Sequence, residues 1–363
     1  MGPVKHILHR GRMAVAVVAL ASLALVSTGA AGTGSLIFNP QNLVTDDTAF
    51  TAVATDTSLV NPWGLSAGPT TPWWAANNGS NTSTLYNGAG TKAALTVTVP
   101  GGPTGTVFNA STTDFPVSQN GVAAASRFLF STEGGQILGW APTVNGTTAI
   151  PGVDHASAGA VYKGLATLND RLYATDFHNG RVDVFDAQWN PVSLPATAFK
   201  DTAIPKGYAP FGVQALNGNV FVTYAVQDKA KHDEVPGGGQ GYVVEYSPDG
   251  ALLATVAAQG KKNAPLNAPW GIAMAPATFG VYGGDLLVGN FGSGRIDAYQ
   301  ALTPTHWVYK GVLRVANGAP ITIDGLWAIA FGNDSAAGPS TSLYYAAGPL
   351  GEQHGLLGVI NVG

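Results

Sequence analysis

Six hairpin-like segments recur along this 363-residue chain, and a chain that uses one unit six times has few folds open to it. "WAANNGSNTSTLY", "YATDFHNGRVDVF" and "LVGNFGSGRIDAY" align without a gap. In each, apolar residues run to Asn77, Asp176 or Asn290. A turn follows at Gly79, at Asn179 and Gly180, or at Gly292, and an alternating stretch then ends on an aromatic residue. That pattern reads as strand, tight turn, strand. Looser copies end at Trp140, resume at "GYVVEY" after an insertion, and close the chain as "LYYAAGPLGEQHGLLGVI".

Each hairpin follows a glycine-bearing apolar strand. The marker glycines are Gly64, Gly121, Gly164, Gly212, Gly271 and Gly325, spaced 57, 43, 48, 59 and 54 apart. Spacings near 50 with four short strands per unit predict an all-β, six-bladed β-propeller of four-stranded antiparallel blades. Glycine suits inner strands whose backbones crowd toward the axis. The last copy ends within a few residues of the C-terminus. "NLVTDD" (Asn42 to Asp47) is therefore expected to supply a closing strand to the sixth blade through Leu43 and Val44, making 42–363 one domain after a linker at 32–41.

Composition agrees with this reading. Charged residues are 10% of the chain, while 48 glycines and 23 prolines imply many turns. With no cysteine, stability must come from burial. Lys5, His6, His9, Arg10 and Arg12 precede an apolar run from Met13 to Val26 and the small residues Ser27 to Gly32, which reads as a signal peptide over 1–31. The alternative is a retained anchor, but the run is shorter than the roughly 20 residues a span needs. Removing it leaves 14 basic against 21 acidic residues, a net charge of −7, which argues against a nucleic-acid partner. The expectation is a secreted or periplasmic monomer with no membrane association after cleavage.

"NPWGLS", "YKGLA", "APWGIA" and "GNFGSGRIDAY" resemble the NHL-type six-bladed propellers. From Asn42 onward, "GYAPFGVQ", "TYAVQDKAKHDEVPGGGQGYV", "DGLWAIAFG" and "AGPLGEQHGLLGVI" make the chain similar to an uncharacterised family of secreted bacterial propellers. That resemblance implies the fold and carries no activity.

Within the repeat, Asp176 of D-F-H occupies the slot of Asn77 and Asn290. It reads first as a turn-capping position, with His178 an exposed neighbour. "GLSAG" matches the nucleophile-elbow pattern but sits where sister blades read G-I-A-M and G-L-A-T, with no helix following, so it is a strand segment. Propeller wiring places the residues before the marker glycines, Trp63, Asn120, Lys163, Phe211, Trp270 and Asp324, around the axis on one face. Lys163 and Asp324 are then expected to oppose each other beside tryptophans able to stack on a ligand. The same face receives two insertions, one with Gln227, Asp228, Lys229, Lys231, His232, Asp233 and Glu234, the other with Glu352, Gln353 and His354. These groups either brace the two loops or form a shared site, as a divalent-metal centre or an acid/base pair.

Three functions follow from that face. The first is binding of a small molecule, glycan or peptide, for which Trp63, Lys163, Asp176, Trp270, Asp324, His232, Asp233, Glu352 and His354 are the candidate contacts. The second is a metal-dependent hydrolase or lyase whose divalent cation is caged near the axis by Asn77, Glu133, Asp176 and Asn290. Tyr224 and Ala347 at the same slot in blades four and six weaken that cage. The third is a structural or adhesive envelope protein.

Overall fold

The computed structural model describes residues 1–2, 35–258 and 265–363, so the expected signal peptide lies, beyond Met1 and Gly2, outside the described residues. Six sheets are arranged as blades. Their inner strands are Pro62–Ser66, Pro103–Phe108, Tyr162–Leu168, Tyr208–Leu216, Pro269–Met274 and Leu326–Phe331. Each packs against the next, and the sixth packs back on the first, which closes the ring. Among the described residues helix is confined to the short turns Ala156–Ala158, Gly280–Tyr282 and Pro349–Glu352. Among the described residues no helix is long and apolar enough to cross a membrane.

The six hairpins form the second and third strands of the blades. The pairing of Trp73–Asn77 with Thr82–Tyr86 recurs in register as Arg171–Asp176 with Arg181–Phe185, and Leu286–Asn290 with Ile296–Thr303 is its counterpart in blade five. Ring closure is as expected from the N-terminal segment. Phe38–Thr45 pairs antiparallel with Leu356–Val362 as the fourth strand of blade six, with Val44 opposite Leu357 and both buried, and Ala54–Thr55 pairs parallel outside it. The strand begins at Phe38, so the last residues of the expected linker belong to it. Burial of Phe38, Leu43 and Val44 ties the two ends of the domain together. Blade three departs from the expected four strands, having only Tyr162–Leu168, Arg171–Asp176 and Arg181–Phe185.

Two marker positions are corrected. A Cβ on Gly64 would lie 2.5 Å from the carbonyl oxygen of Thr104 and 2.7 Å from the nitrogen of Thr106, so its neighbour in the ring is Gly105, on the inner strand of blade two. Gly121 instead turns a separate hairpin, Pro116–Gln119 with Val122–Ala125, where it and Asn120 are exposed with positive φ. A Cβ on Gly271 would lie 2.5 Å from the Trp327 carbonyl oxygen and 2.9 Å from the Ile329 nitrogen, so the sixth axial position is Ala328. Gly325 sits in the preceding turn with φ +64°. A turn glycine and an axial glycine answer different steric demands, and the sequence spacing did not separate them.

Candidate functional site

With the register corrected, the residues before the axial positions are Trp63, Thr104, Lys163, Phe211, Trp270 and Trp327. The aromatic ones fill the axis. Trp63 and Trp327 stack with ring centroids 3.5 Å apart, and Trp270 meets Trp63 edge-on at 6.1 Å. Trp63 is 2% exposed and Trp270 8%. The two tryptophans expected to face a ligand are therefore packed against each other, because six converging inner strands leave room for a plug and little else.

Lys163 is embedded in this plug. Its side chain has no solvent exposure, and its Nζ lies 4.7 Å from the centre of the Trp63 ring. The ammonium donates to Glu133 Oε1 and, at 3.2 Å, to Asp233 Oδ1. Glu133 comes from the second turn of blade two and also accepts from Asn78 Nδ2 at 2.8 Å. Asp233 comes from the blade-four insertion, is 62% exposed at its side chain, and accepts from His232 Nδ1 at 2.8 Å. Glu352, from the blade-six insertion, accepts from Asn61 Nδ2 at 2.7 Å, and Asn61 Oδ1 accepts from Trp327 Nε1 at 3.0 Å. Blades two, three, four and six thus contribute charge to one cluster, wired to the tryptophan plug.

The electrostatics follow from that crowding. Burial alone would lower the pKa of Lys163, but Glu133, Glu234 and Asp233 outweigh it and hold the ammonium above its ordinary value. Burial would raise Asp233, yet Lys163 and His232 keep its carboxyl below the usual range. Glu234 is pushed up to about 8 by burial, with Lys163 opposing and Glu352 and Asp233 reinforcing the rise. Glu352 is raised by burial, against the Asn61 hydrogen bond and Lys163. One ammonium therefore sits among four carboxylates.

The remaining candidates lie elsewhere. Asp324 does not oppose Lys163; it is exposed and caps the blade-six insertion by accepting from the Leu350 N–H at 2.8 Å. His354 pairs with Asp46 of the segment after the closing strand, at 3.1 Å, and packs against Phe50, bracing the insertion against that segment. Asn77 donates to Thr82 and Thr84 within its own hairpin. Asp176 accepts from Val161, Asn179 and Arg181, and Asn290 bridges Asn267 and Asp297. These three buried residues serve their own turns, and of the four expected cage members Glu133 alone reaches Lys163. Donor atoms of Glu133, His232 and Asp233 do lie within 4.8 Å of one another, a grouping able to hold a metal ion.

Trp327, Asn61 and Asn78 were not anticipated. Trp327 was legible: "GLWAIA" aligns on "APWGIA" if tryptophan rather than glycine is the marker.

No family model matches the chain. It is 30% identical over 290 residues to "uncharacterized protein R648" of Acanthamoeba polyphaga mimivirus, covering 77% of this chain and 70% of that protein. This chain belongs to the R648 family. A second viral relative, "uncharacterized protein R640", is 30% identical over 229 residues, and the chain spans only 41% of its length. The R648 family relatives are viral, so they lend nothing to the bacterial source that the resemblance implied. Among solved structures, a structural genomics protein of unknown function from Bacteroides thetaiotaomicron superposes with a TM-score of 0.53 at 12% identity, covering 89% of this chain and 76% of that one. The soluble aldose sugar dehydrogenase of Escherichia coli gives 0.50 at 13% identity, covering 90% and 100%. A streptogramin B lyase gives 0.50 at 12%, covering 90% and 97%. At such identities the likeness is one of fold, and one fold hosts many activities.

Proposed function

We propose that this chain is an exported binding propeller whose ligand sits on the insertion face and sets cationic or hydrogen-bond-donating groups against Glu133, Asp233, Glu234 and Glu352. The observation that carries this reading is the buried Lys163 ammonium, held by two carboxylates while two more crowd around it. The site already stabilises one cation and retains an excess of acid, and the exposed side chains of His232 and Asp233 provide access from solvent. Small molecules, glycans and peptides bearing amines or clustered hydroxyls share the required chemistry.

A second reading is a metal-dependent hydrolase or lyase, favoured by the grouping of Glu133, His232 and Asp233. The donor set is suitable for a divalent ion, but Lys163 already occupies Glu133 Oε1 and Asp233 Oδ1, so an ion there would compete with an ammonium. That competition places this reading second.

Calorimetric titration separates the two. Agmatine should bind the wild type saturably, about tenfold more weakly after Asp233→Asn, and more weakly still in about 0.5 M salt. N-acetylglucosamine serves as the neutral probe. No agmatine binding, or equal binding by the variant, contradicts the first reading. Zinc or calcium binding lost in His232→Ala would support the second.

A further inference from the structure

The inner strands run from the insertion face toward the opposite one, and the residues after their axial positions build a second mouth there. Two places beyond the axial positions stand Ser66, Val107, Ala166, Gln214, Ala273 and Ala330, and all six line this mouth. Five of them have side chains no larger than valine, so the axis that tryptophans plug on the insertion face is left partly unfilled here. A narrow axial shaft of about 50 Å³ adjoins two hollows of about 300 and 240 Å³. Ile329 and Ala330 belong to both the shaft and the larger hollow, and Ser66 and Ala67 to both hollows, so the space is continuous. The two hollows together reach the volume of ordinary ligand pockets.

None of the residues lining this space is charged, and half-buried Phe108, Leu216, Met274 and Phe331 leave apolar surface at the mouth. On the side of the plug the shaft meets Trp270. Its Nε1 is already committed to the Lys163 carbonyl at 3.2 Å, so the indole offers the shaft an apolar ring. Two polar side chains interrupt the shaft wall. Thr106 is 6% exposed, and its Oγ1 has no hydrogen-bond partner among the described residues. Gln214 lines the shaft and both hollows, and among the described residues its amide makes no hydrogen bond. Buried polar groups are normally paired, so an orphaned hydroxyl beside a free amide marks where a partner is missing.

We propose that the axial mouth opposite the insertions binds an uncharged amphiphile, its single hydrogen-bonding head set against Gln214 and Thr106 and its apolar body lying in the hollows over Met274 and Phe331. An amide or hydroxyl head can both give and accept a hydrogen bond there, and the apolar walls favour a hydrocarbon body. A charged head would lose its hydration with no opposite charge in the lining to replace it. No member of the acid cluster lines this mouth, so it is independent of the binding face proposed above.

The probe is octanamide, titrated calorimetrically into the full chain at neutral pH, with octanoate as the same chain on a charged head. Octanamide should bind saturably, and octanoate at least about tenfold more weakly. Gln214→Leu should weaken octanamide by about tenfold, as one lost hydrogen bond would. Ala330→Trp should abolish binding by filling the junction of shaft and hollow. The proposal is overturned if octanamide fails to bind up to its solubility limit, if octanoate binds as tightly, or if either variant binds as the wild type does. Should Ala330→Trp not fold, Gln214→Leu and octanoate decide.

Discussion

At the scale of single residues, the acids of this charge-poor chain divide into those that neighbours stabilise and those that burial penalises. Asp233 is held low by Lys163 and His232 against its own burial. Asp285 is the opposite case. It is 2% exposed, its Oδ2 has no hydrogen-bond partner, and burial pushes it up to about 6 against a distant Lys310. A carboxyl whose folded-state pKa lies above its unfolded value binds its proton more tightly when folded. Its penalty is therefore absent below about pH 4, grows as pH rises, and is complete above about pH 6. Two pKa units correspond to about 3 kcal/mol. Asp285→Asn should accordingly gain stability relative to wild type by up to that order at neutral pH, with the gain vanishing as pH falls to about 4. Paired denaturant titrations across this range check it, and a difference that does not change with pH refutes the assignment.

At the scale of the strand, the decisive feature is how closely inner strands approach the axis. Gly271→Ala places a Cβ 2.5 Å from the Trp327 carbonyl oxygen, where backbone must move, and should cost on the order of 1–3 kcal/mol. Gly121→Asn should stay within about 0.5 kcal/mol, because nothing lies within 4 Å and asparagine tolerates a positive φ. Equal thermal stabilities for the two variants would contradict the corrected register. The same contrast shows what was legible in the sequence. Hairpins were readable because polar caps at Asn77, Asp176 and Asn290 repeat at a fixed distance from an aromatic residue. Inner strands were less so: "PTGTVF" carries Thr104 where four of its five sisters carry an aromatic residue before the axial position, while "QNGVAA" and "IDGLWAI" each offer a glycine whose role is a turn. The missing fourth strand of blade three was written in Pro191 and Pro195, but only pairing partners reveal which bonds those prolines withhold.

At the scale of the whole molecule, the propeller turns distant sequence into a local site. Asn61 and Glu352 are 291 positions apart and share a hydrogen bond. The convergence of Lys163, His232, Asp233 and Glu352 on one face could be anticipated because blade wiring fixes where loops emerge. The divergence of Asp324 and His354 could not, since it depends on how the blade-six insertion folds onto the closing strand and the residues after it. Assembly also creates a property no single blade has: Glu234 is pushed up to about 8 by burial, against Lys163 of blade three, with Glu352 of the blade-six insertion and the adjacent Asp233 reinforcing the rise. If the face binds cations, ionising Glu234 adds a negative charge beside the ligand. Agmatine affinity, measured calorimetrically in wild type and Glu234→Gln at constant ionic strength, tests this most directly. The expected result is a several-fold rise in wild type between about pH 7 and about pH 9, and no rise in the variant. A pH-independent wild type, or a variant that follows the same curve, would contradict a cation-binding face.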